Sequence, residues 1–159
     1  MAPSTGVNNK GMRRIESIED PPKVEKKFKK SDFLIGKKMG KGQFGEVMLV
    51  QHKETGFLCG LKVMSKKQIR EEKYVNQVAR ELSIQFYLNH RNVAPLYGFF
   101  DDEENMYLLV EFCTGGQLLQ LLRKKHRLED DETSPIIREI CEGLDYIHKE
   151  EIIHRDIKP

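Results

Sequence analysis

The chain has 159 residues, enough for one domain with a sizeable core. With 38% apolar and 33% charged residues it reads as soluble, without an apolar run of membrane-spanning length or a hydrophobic N-terminal signal region. The net charge of +2 is uneven: residues 1–30 carry +4 and leave −2 for the rest, so direct nucleic-acid binding and a membrane partner are not expected.

Residues 1–31 are polar, lysine-rich and punctuated by Pro21-Pro22, and are expected to form a disordered basic tail. Its run "KVEKKFKK" has the composition of a solvated linker, with an acidic-partner contact or nuclear import signal as the sharper alternative. From Asp32 the pattern changes. "DFLIGKKM" reads as a strand, "GKGQFG" as a glycine-rich turn and "EVMLVQH" as a second strand. "KETG" is a hairpin turn, and "FLCGLKVM" is a third strand.

Helical spacing follows over residues 74–88, with Val75, Val78, Ala79, Leu82 and Phe86 three or four apart. "VAPLYGFF" and "MYLLVEF" read as two more strands around the acidic turn Asp101–Asn105. "GGQLLQLLRKK" reads as a short helix. A longer helix is expected from Ser134-Pro135, with Ser134 as cap and an apolar stripe of Ile137, Ile140, Cys141, Leu144 and Ile147. Cys59, Cys113 and Cys141 are far apart with no metal-ligand spacing, which fits the reducing cytoplasm or nucleus.

Gly40-Lys41-Gly42-Gln43-Phe44-Gly45 matches G-x-G-x-x-G, a weak signal alone because glycine-rich hairpins are common. A dinucleotide site would lead into a helix, whereas Val47 to Val50 continue as a strand. No Gly-Lys pair is followed by Ser or Thr, so a Walker loop is absent. A strand–loop–strand flap with backbone N–H groups for phosphates remains. Lys62 sits in the third strand. Alone it reads as a surface lysine; pointing inward it needs a charged partner, and Glu81 on the next helix is the candidate.

Taken together, the glycine loop, Val47, Lys62, Glu81 and the closing His154-Arg155-Asp156 with Lys158 resemble the protein-kinase signature set. The stretches "DFLIGKKMGKGQFGEV", "ETGFLCGLKVM", "ELSIQFYLNHRNV" and "PLYGFF" are similar to the Aurora branch of serine/threonine kinases. The resemblance implies an α+β fold: a five-stranded antiparallel small lobe with one helix over residues 32–113, hinge included, then the first helices of an incomplete helical large lobe over 114–159. It also implies ATP and Mg²⁺ as cofactors, a protein substrate with a Ser or Thr acceptor, and room for an activating protein partner.

On the same resemblance, Met39, Gly40, Lys41, Gly42, Gln43, Phe44 and Gly45 would surround the nucleotide, with Val47 packing on adenine. Lys62, oriented by Glu81, would bind the α- and β-phosphates. Glu111 and Cys113 belong to a hinge that bonds adenine through backbone groups, and Val110 limits the depth behind it. Asp156 would accept or orient the substrate hydroxyl proton, and Lys158 would steady the transferring phosphoryl group.

Two departures qualify these expectations. Gly60 stands where the family usually has alanine. In the family an asparagine five positions beyond the catalytic aspartate and a later Asp-Phe-Gly hold magnesium; those positions would fall past Pro159, so no metal ligand is assigned. The long helix is therefore expected to leave its stripe bare, forgoing about 1.5–3 kcal/mol per aliphatic, and the segment after the hinge to fray or stick to partners. The alternative function is a catalytically dead small-lobe module that binds nucleotide or a partner.

Overall fold

The computed structural model describes residues 28–42 and 45–159. The expected disordered tail lies outside the described residues up to position 27. Its last four residues, however, belong to the fold. Phe28 packs on Phe33 and His52 with ring centroids 5.9 and 6.0 Å apart, and a 3-10 turn at Lys30–Asp32 leads into the first strand. An aromatic residue inside a lysine-rich run is hidden from a composition reading.

Five strands follow: β1 (Phe33–Gly42), β2 (Gly45–His52), β3 (Leu58–Ser65), β4 (Leu96–Asp101) and β5 (Asn105–Val110). They form one sheet in the order β1-β2-β3-β5-β4, and every neighbouring pair is antiparallel. The β2–β3 turn closes at Gly56, whose N–H donates to the His52 carbonyl at 2.8 Å and whose φ of +71° suits glycine. At the β4–β5 turn, Asp102 Oδ1 accepts from the N–H groups of Glu104 and Asn105 at 3.0 and 2.7 Å, while Oδ2 accepts from the Tyr107 hydroxyl at 2.6 Å.

The strand register sorts the side chains onto two faces. On one, Phe33, Val50, Cys59, Leu61, Phe100, Tyr107 and Leu109 form a core in which Phe100 stacks on both Phe33 and Tyr107. On the other, Met64, Leu96 and Leu108 pack with Ile69 and Val78 from the helices. The register shift between Leu96 and Gly98 places Leu96 and Phe100 in different cores despite their even spacing.

Two helices join β3 to β4: a short α1 (Lys66–Glu71) and the expected α2 (Val75–Tyr87). Helix α1 begins at Ser65, whose hydroxyl accepts from the Gln68 N–H at 3.4 Å, and it buries Ile69. The Ser65-x-x-Gln68 spacing is a capping signal that a strand reading of the preceding residues obscures.

Helix α3 (Leu118–Lys125) precedes α4 (Asp130–Lys149). Helix α4 does not begin at Ser134-Pro135. Glu129 is its N-cap, Asp130, Asp131 and Glu132 occupy the first turn, and Pro135 lies inside the helix. Acidic side chains favour a helix N-terminus, which accounts for the earlier start. Nor is α4 loose. Tyr146 stacks on His90 at 4.9 Å, its hydroxyl accepts from the Asn89 N–H at 2.9 Å, and Glu139 pairs with Arg91 at 3.8 Å. Of the expected bare stripe, Ile147 is buried (5% exposed) whereas Ile137 is 51% exposed.

Candidate nucleotide site

Register brings the expected site residues together row by row. Val47 of β2, Lys62 of β3 and Leu108 of β5 are direct cross-strand partners, so their side chains share a face. The next row on that face is Leu49, Gly60 and Val110. Leu49 was not singled out from sequence, although its place two residues after Val47 signals a shared face. The chain leaves β5 beside this row into Glu111–Cys113, where the Glu111 N–H donates to the Pro95 carbonyl at 3.2 Å.

The glycine-rich segment is a β-hairpin, as the strand–loop–strand reading requires. Gly40 pairs with Val47, Lys41 with Glu46 and Gly42 with Gly45, leaving Gln43 and Phe44, outside the described residues, between the paired ends. A Cβ on Gly45 would fall 1.7 Å from the Val63 carbonyl oxygen, so a side chain there would force β2 away from β3. Met39 and Lys41 are exposed along β1, and Lys38 forms an ion pair with Glu46 across the hairpin.

Lys62 is half-buried. Among the described residues no ion pair joins it to Glu81, contrary to the sequence expectation. Glu81 is exposed on α2 and accepts from Gln77 Nε2 at 3.0 Å, one turn earlier on the same helix. Val78 is buried against the sheet with Leu82 and Phe86 beside it, and this seating leaves Glu81 in solvent. Helical spacing locates α2 but does not fix its rotation about its axis.

At the hinge, Cys113 is exposed and its thiol is pushed up by burial and then by the Glu111 charge, which keeps it protonated and poorly nucleophilic. An apolar cavity of about 290 Å³ lies on the opposite sheet face, lined by Phe28, Phe57, Cys59 and Tyr97 among others. It is separate from the face that carries Lys62.

Residues 152–159 follow α4 without helix or strand. Arg155 takes a left-handed backbone conformation, φ 64°, and the Asp156 N–H donates to His154 Nδ1 at 3.2 Å. Lys158 Nζ donates to Asp156 Oδ2 at 2.8 Å. The Lys158 ammonium holds the Asp156 carboxyl below the usual carboxylate range, with a smaller contribution from His154. Asp156 and Lys158 are therefore joined in an ion pair, both largely exposed. No bond ties either of them to the sheet residues among the described residues.

The Lys62 face thus sets a half-buried cation one row from Gly60 and Val110, beside the Glu111–Cys113 segment and the glycine hairpin. Magnesium does not fit in the same way. Among the described residues no three His, Cys, Asp or Glu side chains gather as metal ligands.

Residues 33–159 match the protein kinase domain family, and the chain belongs to that family. Within it, the chain is similar to Aurora kinases. It is 48% identical over 128 residues to an Aurora kinase of Saccharomyces cerevisiae, covering 80% of this chain and 35% of that protein. It is 40% identical over 142 residues to Aurora kinase C of Mus musculus, covering 89% and 51%, and 41% identical over 156 residues to an Aurora kinase of Schizosaccharomyces pombe, covering 95% and 44%. The chain thus spans between about a third and a half of the length of these curated relatives.

Proposed function

We propose that this chain is the ATP-binding part of a serine/threonine protein kinase that transfers the γ-phosphate of ATP to protein Ser or Thr. The observation that carries the reading is the row Val47–Lys62–Leu108 beside the hinge, in a chain whose last residues pair Asp156 with Lys158. In this reading Val47 packs on the base and the backbone of Glu111–Cys113 bonds its edge. Lys62 takes the α- and β-phosphates, and the hairpin at Gly40–Gly45 covers them. Asp156, held ionised by Lys158, accepts the hydrogen bond of the substrate hydroxyl. Lys158 then shifts toward the transferring phosphoryl group. In this family Mg²⁺ would supply charge neutralisation at the phosphates, and no residue of this chain is assigned to hold it.

A protein substrate, an activating protein partner and a cytoplasmic or nuclear location belong to the same proposal. The location is supported by three free cysteines. The test is phosphorylation of a basic Ser-containing peptide by the natural protein that carries this chain. Asp156→Asn should lower kcat by about 10²-fold or more, and undiminished turnover would remove the role given to Asp156.

A second reading, a nucleotide- or partner-binding module without catalysis, is favoured by Glu81 bonding Gln77 instead of Lys62. It predicts nucleotide binding with no transfer in the same assay.

A further inference from the structure

The cavity on the aromatic face of the sheet has walls of rings and one unused donor. Phe28, Phe33, Phe57 and Tyr97 line it together with His52 and Cys59, around about 290 Å³. Phe57 and Tyr97, with ring centroids 5.2 Å apart, are exposed and belong to its mouth, whereas Phe33 and Cys59 are buried at its floor. Burial pushes the Cys59 thiol up, so it lines the floor as a neutral group. His52 is only 7% exposed. Its Nδ1 accepts from the Thr55 N–H at 3.3 Å and lies 3.0 Å from the Thr55 hydroxyl. An accepting Nδ1 carries the ring's lone pair, which puts the hydrogen on Nε2. Among the described residues no acceptor takes that Nε2–H. The planes of Phe28 and Phe33 stand at 83° and 70° to the imidazole. A buried donor left in such surroundings keeps the full cost of its lost hydration until an acceptor arrives.

We propose that this cavity is a binding site for a planar, uncharged bicyclic aromatic molecule with one hydrogen-bond acceptor, which takes the Nε2–H of His52. Size sets the first part. An apolar cavity of about 150 Å³ holds one benzene ring, and this one has room for two fused rings. Chemistry sets the rest. Aromatic walls stack flat rings or meet their edges, and a single donor satisfies a single acceptor. A charged ligand would lack a counter-ion, because the lining holds no Asp, Glu, Lys or Arg among the described residues. The proposal does not rest on the nucleotide reading, since the cavity lies on the sheet face opposite Lys62.

The experiment titrates quinoline, which has one ring-nitrogen acceptor, and naphthalene, which has none, against the chain and two variants at neutral pH, followed by protein NMR shifts. The ratio of the two Kd values is compared between proteins, which cancels the unequal cost of taking the two probes out of water. The unaltered chain is expected to bind both. His52→Phe keeps an aromatic ring and removes the donor. Naphthalene binding is therefore expected to persist, and the Kd of quinoline relative to naphthalene to rise by about tenfold. Cys59→Leu fills the floor and is expected to abolish binding of both probes without lowering Tm. A ratio unmoved by His52→Phe, or loss of naphthalene binding in that variant, overturns the role given to His52. Binding that persists in Cys59→Leu puts the probes elsewhere and overturns the site. Failure of the unaltered chain to bind either probe means the cavity is closed or filled by the chain's own residues, and overturns the site equally.

Discussion

Asp156 and Lys158 are two residues apart and bonded at 2.8 Å, so each sets the other's charge state. The ammonium favours the ionised carboxylate, which places the Asp156 midpoint below its ordinary 3.8. Lys158→Ala should raise that midpoint back toward the ordinary value. A carboxyl carbon chemical-shift titration reads it directly, and an unmoved midpoint would deny the contact. Tyr107 and Asp102 form a second linked pair. Burial and then the Asp102 bond push the tyrosine up to about 12, and the tyrosine hydroxyl holds the aspartate low. The two signs differ. The lowered aspartate contributes stability above its unfolded midpoint, and this is lost as pH falls through and below about 4. The raised tyrosine contributes stability below its unfolded midpoint of 10, and this is lost as pH rises toward about 12. Tyr107→Phe should flatten both limbs of a Tm-versus-pH curve. At this scale the sequence placed Asp156 and Lys158 two positions apart but did not show that they bond to each other. It was silent on the Tyr107–Asp102 bond, because a turn aspartate shows its local N–H partners but not a side chain returning from the next strand.

Among the elements, the strands were legible because β-branched and aromatic runs alternate between glycine-bearing turns. The β1–β2, β2–β3 and β4–β5 pairings followed from short antiparallel connections, whereas the β3–β5 pairing spans two helices and a strand. Helix α2 was legible in position but not in rotation, since its apolar spacing fits a range of angles that either aims Glu81 at the sheet or leaves it in solvent. A double-mutant cycle measures this. Lys62→Met and Glu81→Gln should be additive in unfolding free energy within about 0.5 kcal/mol in the nucleotide-free chain, and a larger coupling would show that the ion pair forms. Helix α1 was missed because its Ser65 cap also reads as the end of a strand. Ser65→Ala should cost about 0.5–2 kcal/mol, measured by urea unfolding. Helix α4 was placed too late because a Ser-Pro start signal competed with three acidic residues upstream. Pro135 removes the N–H that would reach back to the Asp131 carbonyl. Pro135→Ala should accordingly increase helical ellipticity and raise Tm.

Across the whole molecule, the sheet divides two kinds of surface. One face carries an aromatic core and an apolar cavity; the other carries the row with Lys62 and the hinge. Helix α4 is fastened to the segment after α2 by Tyr146, His90 and Asn89, while Ile137, Ile153 and Ile157 stay exposed. That division was only partly readable, because the motifs fix which residues matter and the register fixes which of them share a face. The central claim is that the Lys62 face binds the nucleotide, and a calorimetric titration of ATP into the chain and into Lys62→Met tests it most directly. Saturable binding that weakens by about tenfold or more in the variant, as loss of a charge-assisted bond predicts, is the expected result. Absence of binding, or equal binding by both proteins, would contradict it.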